Sequence, residues 1–146
     1  FHKRIVKSPK LYFYDTGVAC QLLRIHDPVQ VAHHPLRGAL FENWVLTELV
    51  KGRTHRGLKD NIYYWRSSDG LEVDFVVEHG LTLKPIEAKS GMTARENLCD
   101  ALRKWRNLAG DTAETGVVIY GGNDPIAIRD CSFIPWRLAG KIGNEL

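Results

Sequence analysis

The sequence predicts an α/β domain, and three observations predict it. A helix-length stretch at residues 35–52 is apolar almost all round its wheel. Three strand-like runs with turn residues between them follow from Asn61 to Lys89. An amphipathic stretch at residues 93–110 then leads into the β-branched run "TGVVIYGG". A helical crossover before that run implies a strand parallel to a neighbour, so the sheet should be mixed. The 146 residues suit one compact domain, and no apolar run approaches the roughly 20 residues of a membrane span.

Lys3, Arg4, Lys7 and Lys10 surround Pro9 ahead of the aromatic run "LYFYDTG". This reads as a solvated arm or edge strand, or as an arm that contacts phosphate. Asp15 or Thr16 is expected to cap a short helix through "GVACQLLRI", which Asp27-Pro28 ends. "PLRGALFENWVLTELVKG", residues 35–52, has Pro at its start and Gly at its end, as helices do. Glu42 and Glu48 lie on this largely buried helix, where a carboxylate is costly to desolvate unless paired or metal-bound.

"NIYYWR" reads as a strand and "SSDG" as a turn. In "LEVDFVV", alternation places Leu71, Val73, Phe75 and Val77 on one face and Glu72 and Asp74 on the other. After a turn at His79-Gly80, "LTLKPIEAK" places Glu87 and Lys89 on the face of Leu81 and Leu83, while Pro85 suggests an edge position or a bulge. Leu98, Ala101, Leu102, Trp105, Leu108 and Ala109 form the apolar stripe of the next helix. "PIAIRDCSFIPW" reads as one strand or two short ones, and the final "KIGNEL" as a partly disordered tail. The expected division is an arm and short helix at residues 1–34, packed on a domain at 35–140, with a tail at 141–146.

Net charge of +3 is too small to argue nucleic-acid binding by itself. Cys20, Cys99 and Cys131 are far apart and odd in number, which suggests neither a zinc site nor a disulfide framework and fits a reducing cytoplasm. The chain opens on Phe1, as expected of a fragment of a longer protein.

The charges of the second and third strands carry the chemistry. Asp74 and Glu87 face the same side if opposed residues sum to an odd number, as even hairpin loops give. Lys89 then stands on that face two residues beyond Glu87. Carboxylates with a backbone carbonyl are ligands that Mg²⁺ or Mn²⁺ prefers. Such a cation polarises a phosphodiester and activates water, and Lys89 would orient or deprotonate that water or donate to developing charge. The plainer alternative for Glu87 and Lys89 is a surface salt bridge on a strand. Glu72 is an outer-shell ligand or a solvated residue. Arg66 and Ser90 flank the cluster as candidate phosphate contacts, and Arg103, Lys104 and Arg106 would either track a backbone or form a wet helix face. Tyr63, Tyr64, Trp65 and Trp136 are expected to pack, and His33-His34 lacks a third ligand at suitable spacing.

Asp74, followed after twelve residues by Glu87-Ala88-Lys89, resembles the PD-(D/E)xK signature of the restriction-endonuclease-like superfamily. "GALFENWV" resembles the first-helix motif of that fold, with Glu42 at its glutamate position. Together "KSPKLYFYDTG", "GALFENWVLTEL", "YYWRSSDGLEVDF", "PIEAKSG" and "VVIYGG" resemble an uncharacterised C-terminal domain of prokaryotic AAA+ ATPases, over residues 3–136. The resemblance implies a three-layer α/β/α fold around a central mixed sheet, with Glu42, Asp74, Glu87 and the Ala88 carbonyl about Mg²⁺ or Mn²⁺. It implies a covalently linked ATPase module and either a nuclease or a catalytically inactive module that binds nucleic acid or protein and regulates the ATPase; the expected partner is nucleic acid, DNA before RNA, and the lack of a long apolar run argues against a membrane. Val73 stands where the signature has proline, and no G-x-x-x-x-G-K-[ST] phosphate loop occurs in the chain.

Overall fold

In the computed structural model, which describes residues 10–145, the apolar runs assemble into a six-stranded mixed sheet flanked by helices, a three-layer α/β/α arrangement. The helices are α1 (Thr16–Leu22), α2 (Pro28–His33), α3 (Arg37–Thr54), α4 (Asp100–Ala109) and α5 (Ala139–Glu145). The strands are β1 (Ile62–Arg66), β2 (Glu72–His79), β3 (Thr82–Lys89), β4 (Gly116–Tyr120), β5 (Ile126–Ile128) and β6 (Cys131–Pro135), in the spatial order β1-β2-β3-β4-β6-β5. β1, β2 and β3 form an antiparallel meander; β4 lies parallel to β3 and to β6. The crossover through α4 thus gives the parallel pairing its length predicts.

Each face of the sheet has its own core. On one side Val45 and Leu49 of α3 and Ala139 and Ile142 of α5 pack on Phe75, Val77, Ile86 and Ile119. On the other, Leu102 and Trp105 of α4 pack on Val73, Val76, Val118 and Phe133. β4 is buried along its whole length, as expected of a strand covered on both faces.

Several expectations are corrected. Val73 and Phe75 do not share a face: Tyr63 pairs with Val76 but Trp65 with Val73, so β2 carries one extra residue there, a β-bulge that splits the two side chains between the two cores. Pro85 lies in an interior strand, between the Leu83–Ala113 bridge and the start of parallel pairing at Ile86–Val117, a gap that suits a residue without an N–H. Gly52 is buried inside α3 and does not end it. A 3₁₀ turn at Glu96–Cys99 precedes α4, and Leu108, read as part of the apolar stripe, is 68% exposed.

Residues 141–145 do not form a tail but lie in α5. α5 packs along α3, and a Cβ at Gly143 would come 2.6 Å from the Leu49 carbonyl oxygen, so the helices meet at a distance only glycine allows. Cys99 and Cys131, 32 residues apart, are joined by a disulfide with a Cα–Cα distance of 6.2 Å, contrary to the expectation of no disulfide. The turn before α4 lies over the start of β6, a proximity that cysteine spacing does not encode. Because disulfides are rare in cytosolic proteins, the pairing also removes the ground for expecting a reducing compartment. Among the described residues no helix is long and apolar enough to cross a membrane.

Candidate functional site

The site begins with the register of the hairpin. Phe75 pairs with Ile86 and Val76 with Pro85, the odd-sum register that sets Asp74 opposite Glu87. Above that point side chains replace the ladder: the Ala88 N–H donates to Asp74 Oδ2 at 2.9 Å. Lys89 reaches back over the pair, donating to Glu87 Oε2 and lying 3.4 Å from Asp74 Oδ2. Asp74 and Glu87 are 7% and 4% exposed, so these are buried charges and not the surface salt bridge of the plainer reading.

α3 brings the third carboxylate. Its apolar face packs on the sheet and leaves Glu42 at the edge of that contact, beside Asp74 and Ala88 in a cleft of about 500 Å³. Lys89, Ser90, Gly91 and Arg95 line the same cleft. Glu48, the alternative helix carboxylate, instead pairs with Lys51 at 2.8 Å, outside the cleft. Gly121, the first glycine of "VVIYGG", holds the loop that lines the cleft: its N–H donates to the carbonyls of Lys89 (3.1 Å) and Gly91 (3.0 Å). A Cβ there would come 2.6 Å from the Ser90 oxygen, so the loop after β3 is held to a position that needs glycine. Arg37 Nη2 also donates to the Ser90 carbonyl, at 2.8 Å.

Electrostatics follow from this crowding. Burial first, and the Asp74 charge second, push the Glu87 carboxyl up to about 7 against the pull of Lys89. Burial alone would lower Lys89, but Asp74 and Glu87 outweigh it and hold the ammonium above its usual value. A second cation stands on the opposite flank. Lys10 Nζ lies 2.6 Å from Glu42 Oε1, 3.2 Å from Glu72 Oε1 and 3.9 Å from Asp74 Oδ1, and the Tyr12 hydroxyl donates to Glu42 Oε1. Burial pulls Lys10 down, but Glu42 and the neighbouring acids outweigh it and raise its pKa. Tyr12 is raised by burial and then by Glu42.

The donor set is all oxygen on its acidic side, which suits a hard cation such as Mg²⁺ in kind. As the side chains stand, no group of three or more His, Cys, Asp or Glu among the described residues is gathered tightly enough to hold a metal ion. Ammonium groups stand between the carboxylates instead: Lys10 between Glu42, Glu72 and Asp74, and Lys89 between Asp74 and Glu87.

The remaining candidates scatter. Arg66 lies 3.8 Å from Glu72 at the rim, and Ser90 lines the cleft. Arg103 is turned to Asp130 (2.9 Å), Asp100 (3.3 Å) and Glu96 (3.8 Å), and neither it nor Lys104 lines the cleft. Trp65 packs edge-on to Trp105 and Trp136 edge-on to Trp44, while Tyr63 and Tyr64 are 52% and 37% exposed. The His34 ring accepts from the Leu36 N–H. Of the basic arm, Lys3, Arg4 and Lys7 lie outside the described residues. Sequence reasoning missed Arg95 at the cleft and Asn43, whose amide pins the backbone of Phe13. The neighbour of Glu42 in a buried helix was the available signal for Asn43, since a buried amide needs partners.

Comparison with known proteins adds a family and little else. A family model described as "Domain of unknown function (DUF4143)" matches residues 37–139. An uncharacterized protein of Mycobacterium tuberculosis and one of Mycobacterium bovis are each 38% identical to this chain over 76 residues, which is 52% of this chain and 16% of each relative. The matched stretch therefore spans less than a fifth of the length of these curated relatives. The family match encloses Glu42, Asp74, Glu87 and Lys89 and begins downstream of Lys10.

Proposed function

The chain belongs to the DUF4143 family, whose function is unknown, and we propose that its cleft is that of a metal-dependent nuclease-type domain acting on DNA. The observation that carries the reading is the convergence of buried Asp74 and Glu87 with Lys89 at the end of one hairpin, across the cleft from Glu42. Burying two carboxylates side by side costs several kcal/mol unless cations offset the charge, and Lys89 offsets it only in part, since Glu87 stays raised beside it. The PD-(D/E)xK resemblance gives them one account: Glu42, Asp74, Glu87 and the Ala88 carbonyl would hold Mg²⁺ or Mn²⁺. When bound, that cation supplies Lewis acidity toward a phosphodiester.

The chain's own residues have the following parts. Asp74 fixes the Ala88 N–H, and with it the strand end that presents Glu87 and Lys89. Lys89, held between two carboxylates, keeps its ammonium charged and orients a water or donates to the negative charge that grows on the phosphate. Arg95 and Ser90 line the approach and would contact flanking phosphates, with Arg66 at the rim. In the full-length protein we place this domain after an AAA+ ATPase module.

A second reading is favoured by the ammonium groups among the carboxylates: a catalytically inactive module that binds nucleic acid or protein and regulates its ATPase. Incubation of single-stranded, double-stranded and branched DNA with Mg²⁺ or Mn²⁺ separates the two. The nuclease reading expects metal-dependent cutting by the wild type that is lost in Asp74→Ala and in Lys89→Ala. No cutting on any substrate, by the chain or by the full-length protein with ATP, would leave the regulatory module.

A further inference from the structure

Lys10 does not reach the acids as a loose surface side chain. The strap it belongs to, residues 10–14, is fastened one residue after Tyr12 by a paired bond: the Phe13 N–H donates to Asn43 Oδ1 at 2.6 Å, and Asn43 Nδ2 donates to the Phe13 oxygen at 2.9 Å. Asn43 is 5% exposed and adjoins Glu42, so the strap is registered against the residue whose carboxylate it covers. From this anchor Tyr12 and Lys10 both reach Glu42 Oε1, and the Lys10 ammonium also lies 5.1 Å from the centroid of the Tyr64 ring.

The contacts of the two lysines divide the cluster. Lys89 and the Ala88 N–H take Asp74 Oδ2, whereas Lys10 faces Asp74 Oδ1 together with Glu42 Oε1 and Glu72 Oε1. A cation that bridges α3 to β2 through Glu42 Oε1 and Asp74 Oδ1 uses that second set of oxygens, at roughly 2.0–2.1 Å if it is Mg²⁺. An ammonium 2.6 Å from one of those oxygens fills the same space and carries charge of the same sign.

We propose that Lys10 is the internal counter-ion of this site, and that its ammonium and a divalent cation exclude each other from the gap between Glu42 and Asp74. The proposal rests on the nuclease-type reading above. Metal affinity is then set by the strap as well as by the carboxylates: the intrinsic affinity is reduced by the fraction of molecules in which Lys10 holds the gap.

Calorimetric titration of the whole chain with Mn²⁺ tests this, comparing wild type with Lys10→Met and with the charge-preserving Lys10→Arg. Lys10→Met keeps an apolar stem near Tyr64 and removes the charge. It should bind Mn²⁺ at least about tenfold more tightly than wild type, with Lys10→Arg close to wild type. Equal affinity of wild type and Lys10→Met overturns the counter-ion role and leaves the metal reading standing. Absence of Mn²⁺ binding in all three chains overturns the metal reading and this inference with it. Titrating the wild type with Mg²⁺ by amide and side-chain NMR needs no variant: displacement should move the Lys10, Tyr12 and Tyr64 resonances together with that of Asp74. Saturation that shifts Asp74 while Lys10 and Tyr64 stay unmoved overturns the proposal.

Discussion

Glu87 bears most of the electrostatic strain of the cleft, and its sign is testable. Its pKa is raised from 4.5 to about 7, so between those values the folded chain binds more protons than the unfolded one. The stabilising increment is therefore fully present below pH 4.5 and is lost as pH rises through 7. Metal-free protein should lose about 3 kcal/mol on this account, read as the difference in urea unfolding between wild type and Glu87→Gln at pH 5 and at pH 8. Asp74→Asn keeps an acceptor for the Ala88 N–H while removing the repelling charge, so the midpoint of that pH dependence should move down. A midpoint unchanged in Asp74→Asn would show that burial alone raises Glu87. These residues were legible in the sequence because alternation along a strand is a local rule that brings Asp74, Glu87 and Lys89 to one hairpin end. Lys10 was legible only as one cation of a basic arm, because its contact with Glu42 spans a chain separation that no local period records.

At the scale of elements, period and punctuation sufficed where one residue class repeated. They failed where a single residue changed the frame. One extra residue in β2 moves Val73 to the α4 side and Phe75 to the α3 side, and nothing in "LEVDFVV" marks it. "KIGNEL" read as a tail because it stands at the end of the sequence; yet Gly143 is what lets α5 lie against α3. Gly143→Ala should accordingly cost about 1–3 kcal/mol in denaturant unfolding, although alanine is the better helix former. A gain in stability would mean that the helices separate freely. The disulfide ties the turn before α4 to β6, and Cys131→Ser should lower stability by about 2–4 kcal/mol under non-reducing conditions. If the variant matches wild type in that measurement, the cross-link is absent in solution.

The whole molecule places its charge where two dry cores meet the end of the sheet. α3 with α5 and α4 with its preceding turn cover opposite faces, and the carboxylates stand at the end of the hairpin that both cores share. A ligand that binds only this assembled form stabilises it by mass action, about 2.7 kcal/mol at a hundredfold excess over Kd. Addition of Mg²⁺ or Mn²⁺ should therefore raise the Tm of wild type and not that of Asp74→Ala; a shift that survives the substitution would place the metal elsewhere. The general architecture was readable because layers follow from amphipathic faces, whereas the cleft's charge balance required knowing which distant residues the layers bring together.

The bond between the Ala88 N–H and Asp74 Oδ2 also gives the molecule an internal spectroscopic probe. An amide proton shared with a carboxylate resonates according to the electron density on that oxygen, so this one signal registers what happens to Asp74. Ala88 has no titrating side chain and sits between Glu87 and Lys89, the two residues whose ionisation matters most. One crosspeak in an amide spectrum, followed through a titration of protons, cations or oligonucleotide, would report the state of the cleft without any label being added.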